Sequence, residues 1–180
     1  MLKLSPENVS PKVEHSNYFK CDLKQTKWGP RIIKDIELIL IVEGIASYCS
    51  EKTGKLLIGA GDILFIPPGE EHVFEVNTKE KTIISCIHLE LLNKKGYLKQ
   101  DYIPDPLPKN LTDTKGDLFM HELFHRIADI FTKNSLFREI MLTTASKELW
   151  LRLNEFWSEN YTPITSPRVS RMIDFLKANY

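Results

Sequence analysis

No apolar stretch approaches the roughly 20 residues that cross a bilayer, and the opening MLKLSPENVSPKVEH lacks the apolar run of a secretory signal. The protein is therefore expected to be cytoplasmic, with no membrane partner. A surplus of one charge is also missing: 24 Lys+Arg balance 24 Asp+Glu. Phosphate contacts normally leave a basic excess, so these residues alone are not expected to bind nucleic acid, although a local basic patch remains open. Cysteine is scarce. Cys21, Cys49 and Cys86 are odd in number and without CxxC spacing, which predicts reduced core thiols and gives the sequons at Asn8, Asn110 and Asn160 no role. Neither GxGxxG nor GxxxxGK[ST] occurs, so nucleotide-binding classes of those kinds are unsupported, and a nucleophilic site is no better supported.

What is present is ordinary globular composition, 42% hydrophobic and 27% charged over 180 residues, enough for one buried core. From Arg31 to about Leu92 short apolar runs alternate with turn residues. The runs are Ile36 to Val42, Leu56 to Ile58, Ile63 to Ile66, Val73 to Val76 and Ile83 to Leu92. Their spacing, with Gly and Pro at the joints, predicts an antiparallel sandwich or small barrel. Pro104, Pro106 and Pro108 mark a connector. Beyond it, helical periodicity over Asp113 to Lys133 and Phe137 to Trp157, joined at Asn134-Ser135, predicts an antiparallel helix hairpin.

In the second helix Leu142, Ala145, Leu149, Leu153 and Phe156 form one stripe, while Phe137, Ile140, Met141, Trp150 and Leu151 lie partly outside it. A helix apolar on more than one face wants two partners, here the barrel and a second copy of the chain. Met141, Leu149, Leu153 and Phe156 are the residues expected at that dimer contact. The expected domains are an N-terminal arm over 1–20, a barrel with its connector over 21–112, the hairpin over 113–160, and over 161–180 a linker with the start of a further, truncated domain.

The stretch Gly61-Asp62-Ile-Leu-Phe-Ile-Pro67-Pro68-Gly69-Glu70-Glu71-His72 reads as turn, buried strand and reversing corner, with Gly69 supplying positive φ and His72 opening the next strand. It resembles the second motif of the cupin superfamily, G-D-x4-P-x-G-x2-H. The first cupin motif survives in part: Glu37 and Gly44 match its second half, and Arg31 and Ile33 stand at the positions of its two histidines. The resemblance implies that of four metal-ligand positions only Glu37 and His72 can ligate, so no cofactor and no metal are expected.

Trp28-Gly-Pro-Arg31, Glu37, Gly44, Gly61-Asp62, Pro67 to His72 and Ile87-His88-Leu89, followed by two helices and Ser166-Pro-Arg168-Val-Ser170-Arg171, resemble the effector-binding and dimerisation domain of the AraC family of bacterial transcription regulators. That resemblance implies a mainly β fold, a cupin-like jelly-roll barrel followed by an antiparallel helical hairpin. It further implies a small-molecule effector, with a sugar among the candidates, a homodimer, and DNA binding through a helix-turn-helix domain beyond these residues. In the arabinose-responsive member an arginine near the first strand, a tyrosine and a later histidine hold the sugar. Arg31 matches the arginine, the tyrosine position carries Phe74 and the histidine position falls near Ile84. Arg31, Glu37, His72, Phe74 and His88 are thus the expected ligand-binding residues. Two alternatives stand beside this at sequence level: Arg31 and Glu37 pair only with each other, and His72 caps a turn.

Two enzyme readings also arise. One is a stand-alone cupin isomerase or dioxygenase with a metal at Glu37 and His72. The other is a zinc peptidase through His121-Glu122-Leu-Phe-His125, whose H-E-x-x-H pattern would need a third ligand such as Glu139 or Glu148.

Overall fold

Alternate residues of the central strands face two separate cores, and this explains why those strands read as continuous apolar runs. The computed structural model describes residues 2–21, 26–77, 81–93, 96–97, 102–114 and 117–158. Its strands are β1 (Leu2–Leu4), β2 (Ser10–Lys20), β3 (Lys27–Ile32), β4 (Ile36–Glu43), β5 (Ile45–Ser50), β6 (Gly54–Gly59), β7 (Asp62–Ile66), β8 (Glu71–Val76), β9 (Ile83–Asn93), β10 (Gly96–Tyr97), β11 (Tyr102–Pro104) and β12 (Leu111–Asp113). Two helices follow, α1 (Leu118–Thr132) and α2 (Arg138–Trp157). Sequence-predicted residues 161–180, read as a linker and a truncated domain, lie outside the described residues.

β1 and β11 form a separate parallel pair, and the barrel is built of two sheets: one has the order β10-β9-β4-β7-β12, with β2 also paired to β9, and the other has the order β3-β8-β5-β6. Both are antiparallel. On the inner side Ile39, Ile41, Leu64, Ile66, Ile84 and Cys86 of the larger sheet meet Ala46, Tyr48, Ile58, Phe74 and Val76 of the smaller one. On its outer side Ile36, Leu38, Leu40, Ile63, Phe65, Ile87 and Leu89 are covered by α1 and α2. The fold is mainly β, a cupin-like barrel of two antiparallel sheets followed by two packed helices, as the sequence predicts.

Seven strands were not anticipated, the short β1, β10, β11 and β12 and the barrel strands β2, β3 and β5. β2 and β3 precede the first predicted run, so half of the segment read as an N-terminal arm is barrel wall. β5 was passed over because its buried residues, Ala46, Tyr48 and Ser50, are small or polar. Cys49, expected in the core, points the other way in that same alternation and is exposed, while Cys21 and Cys86 are buried. Burial pushes the Cys21 thiol up to about 11.

Helix α1 is capped by Asp117, whose carboxylate accepts from the amides of Phe119 and Met120, and begins at Leu118, five residues later than periodicity alone placed it. In α2 the predicted stripe faces inward: Leu142, Ala145, Leu149 and Leu153 are buried in the helix–barrel core, and Phe156 packs against it. Leu149 and Leu153 are fully buried within the single chain and offer a partner nothing, which corrects their assignment to a dimer contact. Of the four residues expected there, Met141 is the exposed one; beside it Phe137, Ile140 and Leu151 also face solvent.

Lys147 of α2 ties down the chain's beginning. Its ammonium donates to the carbonyls of Pro6 (2.7 Å), Glu7 (3.0 Å) and Val9, and the neighbouring Ser146 hydroxyl donates to Pro11 O at 3.0 Å. Hydrogen bonds from a charged donor are worth more than neutral ones, so Lys147→Met should lower unfolding free energy by about 1–2 kcal/mol. Limited proteolysis of that variant should cut first before Ser10; an unchanged cleavage pattern would mean that Val9, fully buried, anchors the segment alone.

Candidate functional site

The barrel holds a cavity of about 170 Å³ walled by five strands from its two sheets. β2 contributes His15, Asn17 and Phe19; β3, Trp28 and Arg31; β4, Glu37 and Ile39; β8, Phe74; β9, Ile84, Cys86 and His88. Strand register brings these residues together. His15 lies opposite His88 and Asn17 opposite Cys86 across the β2–β9 ladder, while β4 sets Glu37 beside His88 and Ile39 beside Cys86. On the facing sheet Trp28 pairs with Phe74, and Arg31 with His72. Gly29, at φ +108°, lets the bulged end of β3 lie against the His72 backbone where a side chain would collide.

Polar groups cluster at one end. Arg31 donates through a terminal nitrogen to Glu37 Oε2 at 2.5 Å and through Nε to His72 Nε2 at 3.2 Å. His72 can accept there because its Nδ1–H donates to the Glu70 carbonyl at 2.9 Å, which fixes the tautomer. Glu70 is itself buried, and its carboxylate accepts from the Tyr48 hydroxyl at 2.9 Å. From the other side His88 reaches Asp35 through Nδ1 at 3.0 Å and Glu37 Oε1 through Nε2 at 3.4 Å. A chain of polar contacts therefore runs from Asp35 through His88, Glu37 and Arg31 to His72, linking the two sheets. The other end is apolar, formed by Phe19, Trp28, Ile39, Phe74 and Ile84; the Trp28 and Phe74 rings lie 5.7 Å apart.

Burial pushes the Glu37 carboxyl up, but the His88 hydrogen bond and the Arg31 charge outweigh it, and the net direction is down from 4.5. The Glu37 hydrogen bond raises His88 above 6.5 against its own desolvation, with Asp35 adding to the effect. A raised histidine stabilises the fold below its unfolded value, and the gain disappears as pH climbs through the folded value. A lowered carboxyl stabilises above its unfolded value, and that gain is lost as pH falls through the lowered one. The interaction is thus complete between the ordinary values of 4.5 and 6.5. Thermal melts of wild type and His88→Gln should differ most in that window and converge at higher pH; a gap that widens above neutrality would contradict the assignment.

Of the sequence-predicted residues, Arg31, Glu37, Phe74 and His88 line the cavity, and His72 stands behind Arg31, both touching it and bonding a turn carbonyl. Arg31 and Glu37 do pair with each other, and they do so on the cavity wall. His15, Asn17, Phe19, Trp28 and Asp35 were not among the expected ligand-binding residues. The every-second-residue spacing of His15, Asn17 and Phe19 was the available signal for the first three.

The donor set does not fit a divalent ion. At the four positions that the cupin resemblance marks, Ile33 has no ligating atom, and the cationic Arg31 already donates to Glu37 Oε2 and to His72 Nε2. In the H-E-x-x-H stretch His121 is half-buried, and His125 is exposed with its ring 5.1 Å from that of Tyr18. Among the described residues no three His, Cys, Asp or Glu side chains are grouped to hold a metal, and no helix is long and apolar enough to cross a membrane.

No family model and no curated protein matches the chain. Solved structures are similar to it at low identity. ToxT from Vibrio cholerae shares 10% identity over 94% of this chain and 66% of its own, with a TM-score of 0.48. Another ToxT structure, bound to (E)-4-(8-methylnaphthalen-1-yl)but-3-enoic acid, shares 11% over the same shares of the two chains, 94% and 66%, with a TM-score of 0.48. A cupin-2 domain protein from Shewanella frigidimarina shares 21% over 43% of this chain and 78% of its own, with a TM-score of 0.34. The chain thus spans slightly under two thirds of the length of ToxT, at 66%. By its own strand order it is a cupin-like barrel with a cavity on the inner side of its sheets and two packed helices on the outer side of the larger one.

Proposed function

We propose that this chain is the sensor part of an AraC-type transcription regulator. It takes a small molecule in the barrel, pairs with a second copy through the outward face of α2, and controls DNA binding by a helix-turn-helix domain outside these residues. The observation that carries this reading is the two-ended cavity, with hydrogen-bonding side chains at one end and aromatic and aliphatic walls at the other, the pattern by which small-molecule sites fix orientation. A volume of about 170 Å³ is below the drug-sized range and suits a monosaccharide or a short organic acid. Arg31 spends two of its N–H donors on His72 and Glu37, which leaves the rest of its fork for a ligand oxygen.

Regulation then requires the ligand to favour one arrangement of the helix pair over another, because a ligand with equal affinity for both shifts nothing. A thermal-shift screen of sugars and short carboxylic acids should find a compound that raises Tm. Arg31→Ala, compared with its own ligand-free Tm, should abolish that rise. If no compound in the screen stabilises the protein, the sensor reading fails; if the rise survives in Arg31→Ala, Arg31 is not a ligand contact. The gene's reading frame should continue past Tyr180 into two helix-turn-helix units with a basic recognition helix, and a stop codon there would turn the reading to a stand-alone binding protein.

A further inference from the structure

We propose that His15 passes cavity occupancy to the helix pair through Phe131 and Arg138, an inference that rests on the sensor reading above and names how that site would be read out. His15 is on the cavity wall, accepts from Asn17 Nδ2 at 3.3 Å, and stands 5.9 Å ring to ring from His88. Its other edge meets the Phe131 ring of α1 at 5.6 Å. Phe131 in turn holds Arg138: the guanidinium carbon lies 4.7 Å over the ring, and both Nε (3.2 Å) and a terminal nitrogen (3.0 Å) donate to the Phe131 carbonyl.

Helix α2 starts at Arg138 with no side-chain cap, so this fork ties its first residue to the last turn of α1. The exposed apolar side chains Leu136, Phe137, Ile140 and Met141 begin at that joint. A ligand that turns the exposed His15 imidazole therefore changes its edge contact with the half-buried Phe131 ring, and Arg138 at the start of α2 rests on that ring and on the Phe131 carbonyl. Spatial continuity alone does not establish coupling, so the test is a cycle of variants.

Cys86→Met places extra atoms in the cavity and serves as the probe, with hydrogen exchange of the 134–141 amides as the readout. Exchange there should change about threefold or more between wild type and Cys86→Met. Between His15→Ala and His15→Ala/Cys86→Met, and between the corresponding Arg138→Met pair, it should not change. A change that persists without His15, or none at 134–141 when the 84–88 amides respond, overturns the proposal. If Cys86→Met does not fold, the reciprocal measurement decides: Arg138→Met should move the His15 ring resonances, and unmoved resonances overturn it. A thermal-shift screen without hits would remove the sensor reading and leave this coupling intact, so the two failures are distinguishable.

Discussion

Arg31→Ala should lower the free energy of unfolding by about 3 kcal/mol, measured by urea denaturation at neutral pH, and adding Glu37→Gln should recover at least about 1 kcal/mol of it. The reasoning rests on an asymmetry of exposure: the Glu37 side chain is 3% exposed and that of Arg31 is 32%. Without Arg31 the carboxylate stays buried with His88 as its remaining hydrogen-bonding partner, and removing one member of a buried pair leaves a poorly compensated charge. Without the charge on Glu37, the arginine can swing its head to water. Glu37→Gln alone should therefore cost only about 1 kcal/mol, the scale of one hydrogen bond. A loss below about 0.5 kcal/mol for Arg31→Ala would place the pair among screened surface bridges and remove it as a staple between the sheets. Failure of Glu37→Gln to rescue would show that the loss comes from packing around the arginine stem and not from the stranded charge.

How much of this was legible in the sequence follows from how local each signal is. The Gly61 to His72 segment could be read because turn, strand and corner are set by neighbouring residues, and Gly69 takes the positive φ, +81°, that the corner calls for. β4, β7 and β9 could be read because burial on both faces writes a long apolar run. β2 could not. A bulge between Val13 and His15 breaks its alternation. Before it Val13 packs with the helices; after it His15, Asn17 and Phe19 face the cavity, and Tyr18 turns to His125 of α1. An even alternation would have put Val13 and His15 on one face, so no single period fits the strand. The site divides in the same way. Arg31 and Glu37 are six residues apart and could be matched to a motif, whereas His15 and Asn17 reach the cavity only through pairing with residues about 70 positions away, as between Asn17 and Cys86. Cys49 was assigned to the core on residue type, and the strand's alternation overrode that preference.

The two faces of α2 should respond in opposite ways to substitution. Leu149→Ala should cost about 3 kcal/mol, because the side chain is fully buried between the helix pair and the barrel's outer sheet, and its loss combines transfer free energy with a cavity that the surrounding β-sheet cannot collapse to fill. Ile140→Glu, at a side chain 67% exposed, should change stability by no more than about 0.5 kcal/mol. If the outward face joins two copies, however, the same Ile140→Glu should convert a dimer to a monomer in a light-scattering concentration series, since a buried carboxylate without a partner at an interface is costly. Leu149→Ala should remain a dimer as long as it remains folded. A monomeric wild type at high concentration would remove the dimer, and a dimer that survives Ile140→Glu would place the contact off this face. If Leu149→Ala proves nearly neutral, α2 is not the cover of the barrel's outer sheet. The helix would then be free to move as a body, and the route from the cavity through Phe131 to Arg138 would have nothing fixed to push against.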